Sequence, residues 1–159
     1  MDFLAAYATN EDAEEQGVYI KNGDAEFLIA RANNTRFARM LNVQYEGNKQ
    51  ILDARDTPEQ QDISDALNKK ITIEIMSKSI LLGWRGAVNY GKDAEGKPIP
   101  LPYSVENAQK LLSHKDFMQW VNQQAGKMSN YLLAAKEADE KNLPNSSGGS
   151  SPGVAVSAS

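Results

Sequence analysis

A strong helix start followed by a regular apolar stripe is the feature that most constrains this fold. Thr57, Pro58 and Gln60 suit a helix N-terminus, because Thr57 can cap it, Pro58 fits the first turn and Gln60 can close a capping box. Apolar residues then recur every four positions, at Ile63, Leu67, Ile71 and Ile75. Residues 71–75 also alternate with period two, so a strand is the competing prediction. We favour a helix, because the spacing of four begins earlier, and we expect it to extend through Ile80 and Leu82 and to stop at Gly83.

A β-hairpin is predicted over residues 17–31. Two apolar runs, 17–20 and 25–30, flank Asn22-Gly23. This dipeptide is the strongest short hairpin signal, because both central residues of a type I′ turn need positive φ. The cluster Asn33-Asn34-Thr35 can then cap a helix whose apolar face is formed by Phe37, Met40 and Leu41.

The region 86–103 contains too many glycines and prolines for a helix, and we expect a loop or a short hairpin with its tip at residues 94–96. Ser104 and Ser113 are predicted to cap two further helices, with Asp116 at the capping-box position of the second. That second helix is expected to run to about residues 141–142, with an apolar stripe that includes Phe117, Val121, Met128 and Ala135.

Charge is distributed unevenly along the chain, whose net charge is −4. Residues 1–16 carry five acids and no base, and residues 143–159 carry no charged side chain. The second of these segments is rich in Ser, Gly and Pro, and we predict disorder because it cannot bury enough apolar surface to offset its ordering entropy. The expected organisation is a flexible acidic segment at 1–16, one domain at 17–142 and a disordered tail at 143–159. The expected fold class is mainly α with a small N-terminal β-hairpin (α+β), as a compact helical domain.

The composition argues against several classes of protein. Without cysteine there can be no disulfide and no thiolate metal site, and the single histidine, His114, excludes a multi-His metal centre. We interpret His114 as a surface or capping residue. The acidic balance argues against a nucleic-acid partner. Since no segment has the ~18 apolar residues of a membrane span, we expect a soluble intracellular protein.

The polar clusters give an enzyme hypothesis no support. Five acids recur every three residues and are typical of a solvated helix face rather than of a cation site: Asp53, Asp56, Glu59, Asp62 and Asp65. Arg31, Arg36 and Arg39 are interpreted as solvated charge rather than as a nucleic-acid patch. No nucleophile has an evident base beside it, so we expect no catalytic residue, no cofactor and no metal.

The aromatic residues around the Pro-rich region favour a binding role. Trp84, Tyr90 and Tyr103 are of types enriched at interfaces. The alternative, which we favour for these three, is that they fold back onto the core.

Several segments together resemble the tail assembly chaperones of long-tailed bacteriophages. Residues 27–37 resemble that family's strand-to-helix junction. Gly83-Trp84-Arg85-Gly86 and then residues 93–100 resemble its Gly-Trp-Glu-Gly and Asp-Gly-Lys-Pro motifs. Residues 103–108, Tyr-Ser-Val-Glu-Asn-Ala, fit the opening of the next helix, and residues 140–142 match the close. The resemblance covers most of residues 17–142, with two departures: Arg85 stands where an acid is expected, and Leu101-Pro102 is inserted.

The resemblance implies a non-enzymatic role in virion assembly. Such proteins are thought to coat the apolar, helical tape measure protein before tail tube subunits polymerise, and to be absent from the finished virion, so the host cell cytoplasm is the expected location. In several relatives a programmed ribosomal frameshift adds a domain that recruits tail tube protein, which makes tube protein an indirect partner. The alternative is a structural virion protein of the tail or head-to-tail junction, and a homo-oligomer is left open.

The partner surface is predicted from helix-in-groove packing against the tape measure protein. We expect it to combine the Trp84 loop with the last helix. The residues concerned are Trp84, Arg85, Tyr103, Phe117, Trp120, Val121 and Met128.

Overall fold

The structure, a computed structural model, describes residues 1–133. Its helices are α1 (Phe3–Tyr7), α2 (Glu11–Gln16), α3 (Thr35–Asp53), α4 (Pro58–Ser79), α5 (Val105–Leu112) and α6 (Lys115–Gly126), followed by a short 3₁₀ helix at Met128–Asn130. Its strands are β1 (Val18–Asn22), β2 (Ala25–Ile29), β3 (Leu81–Gly86), β4 (Asn89–Lys92) and β5 (Pro98–Pro100). The predicted fold class, mainly α with a small antiparallel β element, is confirmed.

The predicted hairpin is present, with its turn one residue further along. Strands β1 and β2 pair antiparallel from Val18 opposite Ile29 to Asn22 opposite Ala25, which leaves Gly23 and Asp24 as the loop. Gly23 has φ 62° and Asp24 is not among the residues with positive φ. This is the type II′ pattern, with glycine at the first central position, so the predicted type I′ turn centred on Asn22-Gly23 is wrong.

The predicted helix from Pro58 is confirmed, but its predicted end at Gly83 is wrong. Helix α4 ends at Ser79, and residues Leu81–Gly86 form β3, which pairs antiparallel with β2 and places Trp84 opposite Phe27. Leu81 has no exposed surface. The third strand completes the sheet in the order β1-β2-β3. Gly86 has φ 89°, and a Cβ there would lie 2.7 Å from the Asp24 carbonyl oxygen, so only glycine fits this end of the strand.

Two apolar clusters organise the molecule. The larger lies under the sheet, between β2, β3, the end of α4, α5 and α6, and contains Phe27, Ile29, Leu81, Leu112 and Val121. We call this part, residues 1–34 and 80–133, the body. The smaller cluster lies between α3 and α4 and contains Leu52, Ile71 and Ile75. We call the antiparallel pair α3–α4 the arm.

Asn34 connects the arm to the body through three hydrogen bonds of its side chain. Its side-chain oxygen accepts the Phe37 N–H at 3.0 Å, so it caps α3 as predicted. Its side-chain nitrogen donates to the carbonyls of Ser79 at 2.7 Å and Arg31 at 2.8 Å. One buried side chain therefore joins the start of α3 to the end of α4. At the other end of the arm, Thr57 and Gln60 form the predicted capping box of α4.

The Pro- and Gly-rich region forms the short hairpin β4–β5. Around its tip, the Asp93 carboxylate accepts the backbone N–H groups of Glu95 and Lys97 at 2.9 and 2.8 Å. Ser104 caps α5 as predicted, because its hydroxyl accepts the Asn107 N–H at 3.0 Å.

Two predictions about the last helix are wrong. His114, not Ser113, is the N-cap residue of α6, and it makes no side-chain capping bond. Ser113 instead donates its hydroxyl to the Lys110 carbonyl. The helix ends at Gly126 and does not run on through Met128, because Tyr131 turns inward: it is fully buried and donates its phenol to the Ile29 carbonyl at 3.0 Å. The expected helix beyond residue 133 and the disordered tail lie outside the described residues.

The acidic first sixteen residues are part of the folded unit rather than a flexible end. They form α1 and α2, which are capped by Asp2 and Asn10. The Glu14 carboxylate pairs with Arg31 at 2.8 Å, and Thr9 forms a β-bridge with Leu132. Within residues 1–133, none of the helices combines the length and apolar character that crossing a membrane needs.

Candidate partner-binding surface

Five aromatic residues from four parts of the chain meet on one side of the body. Phe27 of β2 lies at the centre, with ring centroids 6.0 Å from Trp84, 5.2 Å from Phe117 and 5.7 Å from Trp120. Tyr103 stands edge-on to Trp84 at 5.1 Å. We call Phe27, Trp84, Tyr103, Phe117 and Trp120 the aromatic cluster. Such tilted and edge-to-face pairs stabilise the fold beyond the burial of their area.

Trp84 makes its contacts mainly inside the molecule. Its indole N–H donates to the Leu101 carbonyl at 2.8 Å, and Leu101 itself is buried. Trp84 of β3 therefore fixes the segment between β5 and α5 through the Leu101 carbonyl. The interpretation that Trp84 folds back onto the core describes this contact correctly.

Tyr103 forms the exposed edge of the aromatic cluster. Its ring is against Trp84, its hydroxyl lies 3.5 Å from the Leu81 carbonyl, and 38% of its surface stays exposed. Partial burial raises the pKa of its phenol. Tyr103 is therefore held in place and still accessible, as a contact residue needs to be.

Helix α6 supplies the other accessible part of the cluster. Phe117 and Trp120 are half-buried and stack at 5.8 Å, one turn apart on the helix. Val121, the next residue, has no exposed surface, so it packs in the core and is unavailable to a partner in this conformation. Met128 is half-buried on the 3₁₀ helix, beyond the end of α6.

Arg85 lies on the other face of the sheet. Successive strand residues point to opposite faces, so Arg85 is directed away from the side that Trp84 occupies. Its guanidinium donates from Nε to the Glu26 carboxylate at 2.9 Å and lies 3.8 Å from the Tyr19 ring centroid. That hydrogen bond lowers the pKa of Glu26. Of the seven predicted contact residues, the structure groups Trp84, Tyr103, Phe117 and Trp120, and separates Arg85, Val121 and Met128.

The two remaining candidates, Tyr90 and His114, meet on a neighbouring surface. The Tyr90 hydroxyl lies 2.8 Å from His114 Nε2, and the Lys110 ammonium lies 5.1 Å from the Tyr90 ring centroid. This contact ties the β4–β5 hairpin to the junction of α5 and α6. It gives His114 a structural partner on an exposed surface.

Two of the arginines considered in the sequence, Arg31 and Arg36, interact with residues of α2. Arg31 pairs with Glu14, and the Arg36 guanidinium donates to the Glu15 carbonyl. The Glu15 carboxylate accepts two hydrogen bonds from Thr35, which lower its pKa. In the part of the chain that the structure describes, no three His, Cys, Asp or Glu side chains come close enough to hold a metal ion.

Comparison with known proteins places the chain in a phage family. A family model described as YdaY prophage protein matches residues 32–142. Since this is more than half of the chain, the chain belongs to the YdaY prophage protein family and is phage-derived. No curated protein and no solved structure matches it. The matched region begins at the entry to α3, so it includes the arm and α6 but not the β1–β2 hairpin.

Proposed function

We propose that this prophage protein is a non-enzymatic tail assembly chaperone that binds the tape measure protein before the tail tube forms around it. Membership of the YdaY prophage protein family supports the phage setting. The resemblance of residues 81–108 to tail assembly chaperones supports the finer role. The observation that carries the proposal is the aromatic cluster, whose outer members, Tyr103, Phe117 and Trp120, remain partly accessible.

The chemistry of the aromatic cluster suits an apolar helical partner. A tape measure protein that has not yet been packed into a tube exposes apolar helical stripes, which aggregate unless they are covered. Large aromatic side chains that are already held in place lose little conformational entropy on binding, and they are frequent among the residues that dominate binding energy. Phe117 and Trp120 are fixed by Phe27 from below, so their outer faces form such a preorganised surface.

In this proposal the protein acts in the host cell cytoplasm, uses no cofactor or metal, and does not stay in the mature virion. Tail tube protein is contacted only through a longer, frameshifted form of the chain. The competing function, a structural component of the tail or head-to-tail junction, predicts the opposite distribution.

The test is co-expression of the tagged chain with the tape measure protein encoded by the same prophage. We expect the tape measure protein to become soluble and to co-purify. Trp120→Ala should weaken this complex about tenfold, since truncating a central aromatic contact typically costs more than 1 kcal/mol. Tyr45→Ala is the matched control, because Tyr45 is a 47% exposed aromatic residue on the arm and should leave binding unchanged.

Two results would contradict the proposal. One is a tape measure protein that stays insoluble and unbound although the chain is folded. The other is stoichiometric recovery of the chain from purified virions by mass spectrometry, which would favour the structural alternative. Unchanged binding by a folded Trp120→Ala variant would remove the assignment of the surface but not the function.

A further inference from the structure

The outer half of the arm combines exposed apolar residues with a charge equal to the net charge of the whole chain. Residues 46–65, which we call the outer arm, contain six acids and two bases, a net charge of −4. The rest of the chain is balanced, with fifteen acids and fifteen bases. In the same segment Ile51 is 46% exposed and Ile63 is 58% exposed.

These two isoleucines lie on the same side of the arm. Leu52 and Ser64 face each other between the helices, because the buried Ser64 hydroxyl donates to the Leu52 carbonyl at 2.8 Å. Ile51 and Ile63 each precede one of these residues, so each is turned by about 100° from the interface. Since α3 and α4 are antiparallel, equal turns in the same chain direction bring both side chains to one face. The half-buried Leu67, one turn after Ile63, extends this apolar face.

Gly47 lies on the same face, with open space beside it. It lies one turn before Ile51, in the interior of α3, where glycine is the poorest helix former after proline. A Cβ at this position would meet no atom within 4 Å. The fold of the single chain therefore gives no reason for a glycine here. A second backbone packed across the arm would give one, because glycine allows helices to approach closely.

We propose that the face formed by Gly47, Ile51, Ile63 and Leu67 binds an amphipathic helix whose polar side is basic. The isoleucines would cover the apolar stripe of the partner, and Glu59 and Asp62, both exposed beside Ile63, would pair with its Lys and Arg residues. A second copy docked arm to arm would bring two segments of charge −4 together, so the charge favours a basic partner over self-association. This surface is on the arm, apart from the aromatic cluster, and does not depend on the proposed chaperone function.

The test uses three synthetic helical peptides of about 18 residues, long enough to form a helix. The first peptide has a leucine stripe and a lysine polar face. The second has the same leucine stripe and a glutamate polar face. The third is a scrambled sequence with the composition of the lysine peptide and no continuous leucine stripe. Binding to the whole protein is measured by fluorescence anisotropy at low and high salt. We expect the lysine peptide to bind, more weakly as salt rises, and the other two to bind at least about tenfold more weakly.

Variants of the chain locate the site. Ile63→Ser should weaken binding of the lysine peptide about tenfold, whereas Val43→Ser should not, because Val43 is nine residues before Leu52 and so points away from α4. The double variant Glu59→Gln/Asp62→Asn should also weaken binding of the lysine peptide. The double variant Asp12→Asn/Glu95→Gln, which removes the same charge from the body, should weaken this binding less.

Gly47→Ala separates binding from folding. It should slow amide hydrogen exchange in α3, because alanine is the better helix former, and it should weaken binding of the lysine peptide. A stabilised variant that binds as well as the original would overturn the close-approach argument. The assignment of this face as a binding site would be overturned if the scrambled peptide bound as tightly as the lysine peptide. It would also be overturned if Val43→Ser and Ile63→Ser lost affinity for the lysine peptide equally. Sedimentation showing a dimer that Ile63→Ser dissociates would assign the face to a second copy instead.

Discussion

The body and the arm of this protein are stabilised in different ways. In the body, a three-stranded sheet and two helices bury a continuous apolar cluster centred on Phe27 and Leu81. In the arm, α3 packs mainly against α4, with only Leu52, Ile71 and Ile75 buried in the cluster between them. The body therefore depends on burial, whereas the arm depends more on caps and local helix propensity. Segments with few buried contacts open at lower free energy, so the arm should be the less stable of the two.

The largest expected effect is in the body. Phe27→Ala should lower the free energy of unfolding by about 3–5 kcal/mol, because it removes a 5% exposed aromatic ring that three other rings contact. Urea denaturation followed by tryptophan fluorescence measures the change. Ile63→Ala on the arm is the control and should change stability by less than about 0.5 kcal/mol. Similar losses in both variants would remove the distinction between body and arm.

The joint between the two regions comes next. Asn34→Ala should cost about 2 kcal/mol, because it removes a helix cap and leaves the buried Ser79 carbonyl without its side-chain donor. Amide hydrogen exchange should accelerate through α3 and the end of α4. Asn10→Ala also removes a cap, that of α2, and should leave exchange in the arm unchanged. Uniform acceleration over the whole chain would show that the arm does not open by itself.

A buried phenol in the body provides a pH-dependent comparison. Burial raises the pKa of Tyr131 well above its usual value of about 10. The unfolded chain therefore loses this proton at a lower pH than the folded chain, and stability falls as the pH rises above about 10. Tyr131→Phe should cost about 1 kcal/mol at neutral pH, since it removes the hydrogen bond to Ile29, and should make this alkaline loss smaller.

Urea midpoints measured at several pH values between about 8 and about 11 test this prediction. Tyr103→Phe serves as the comparison, because the Tyr103 phenol is only partly buried and its bond to the Leu81 carbonyl is long. An equal alkaline slope in the original protein and in Tyr131→Phe would contradict the assignment.

The smallest expected effect is at the far end of the arm. Thr57→Ala should destabilise α4 locally by about 1 kcal/mol, because the Thr57 hydroxyl caps the Gln60 N–H. Thr57→Ser should restore most of this loss. Hydrogen exchange should rise at the start of α4, while the global unfolding transition of the body shifts little. A large global shift would indicate that the arm and body unfold as one unit.

Sequence reasoning located most elements whose signals are short-range. The caps by Asn34, Thr57 and Ser104 are all confirmed, since each involves a side chain and a backbone group three residues away. The β1–β2 hairpin was predicted for the same reason. Its turn lies one residue further along the chain than predicted, because the position and type of the turn depend on the strand register. Strand β3 was missed because Ile80 and Leu82 continue the apolar side of the predicted helix, and only pairing with β2 decides otherwise.

The candidate surface was predicted in part. Trp84, Tyr103, Phe117 and Trp120 lie together, as the predicted surface requires, and their role in binding stays a prediction. Phe27, which lies among them, was interpreted only as an apolar strand residue. Its inward position in the alternating strand was the available signal. Val121 was predicted as a contact residue because it lies on the apolar stripe of an amphipathic helix, whereas in the structure it packs in the core and has no exposed surface.

The sequence by itself determined where α3, α4 and α5 begin, where the first hairpin lies and how charge is divided, because these depend on residues that are close along the chain. The tertiary structure decided where α4 and α6 end, which aromatic rings meet and which apolar residues stay exposed. Those outcomes depend on contacts between distant residues, such as Tyr131 with Ile29 and Phe27 with Trp84. Burial of those groups outweighs the small local preferences that would have continued the helices.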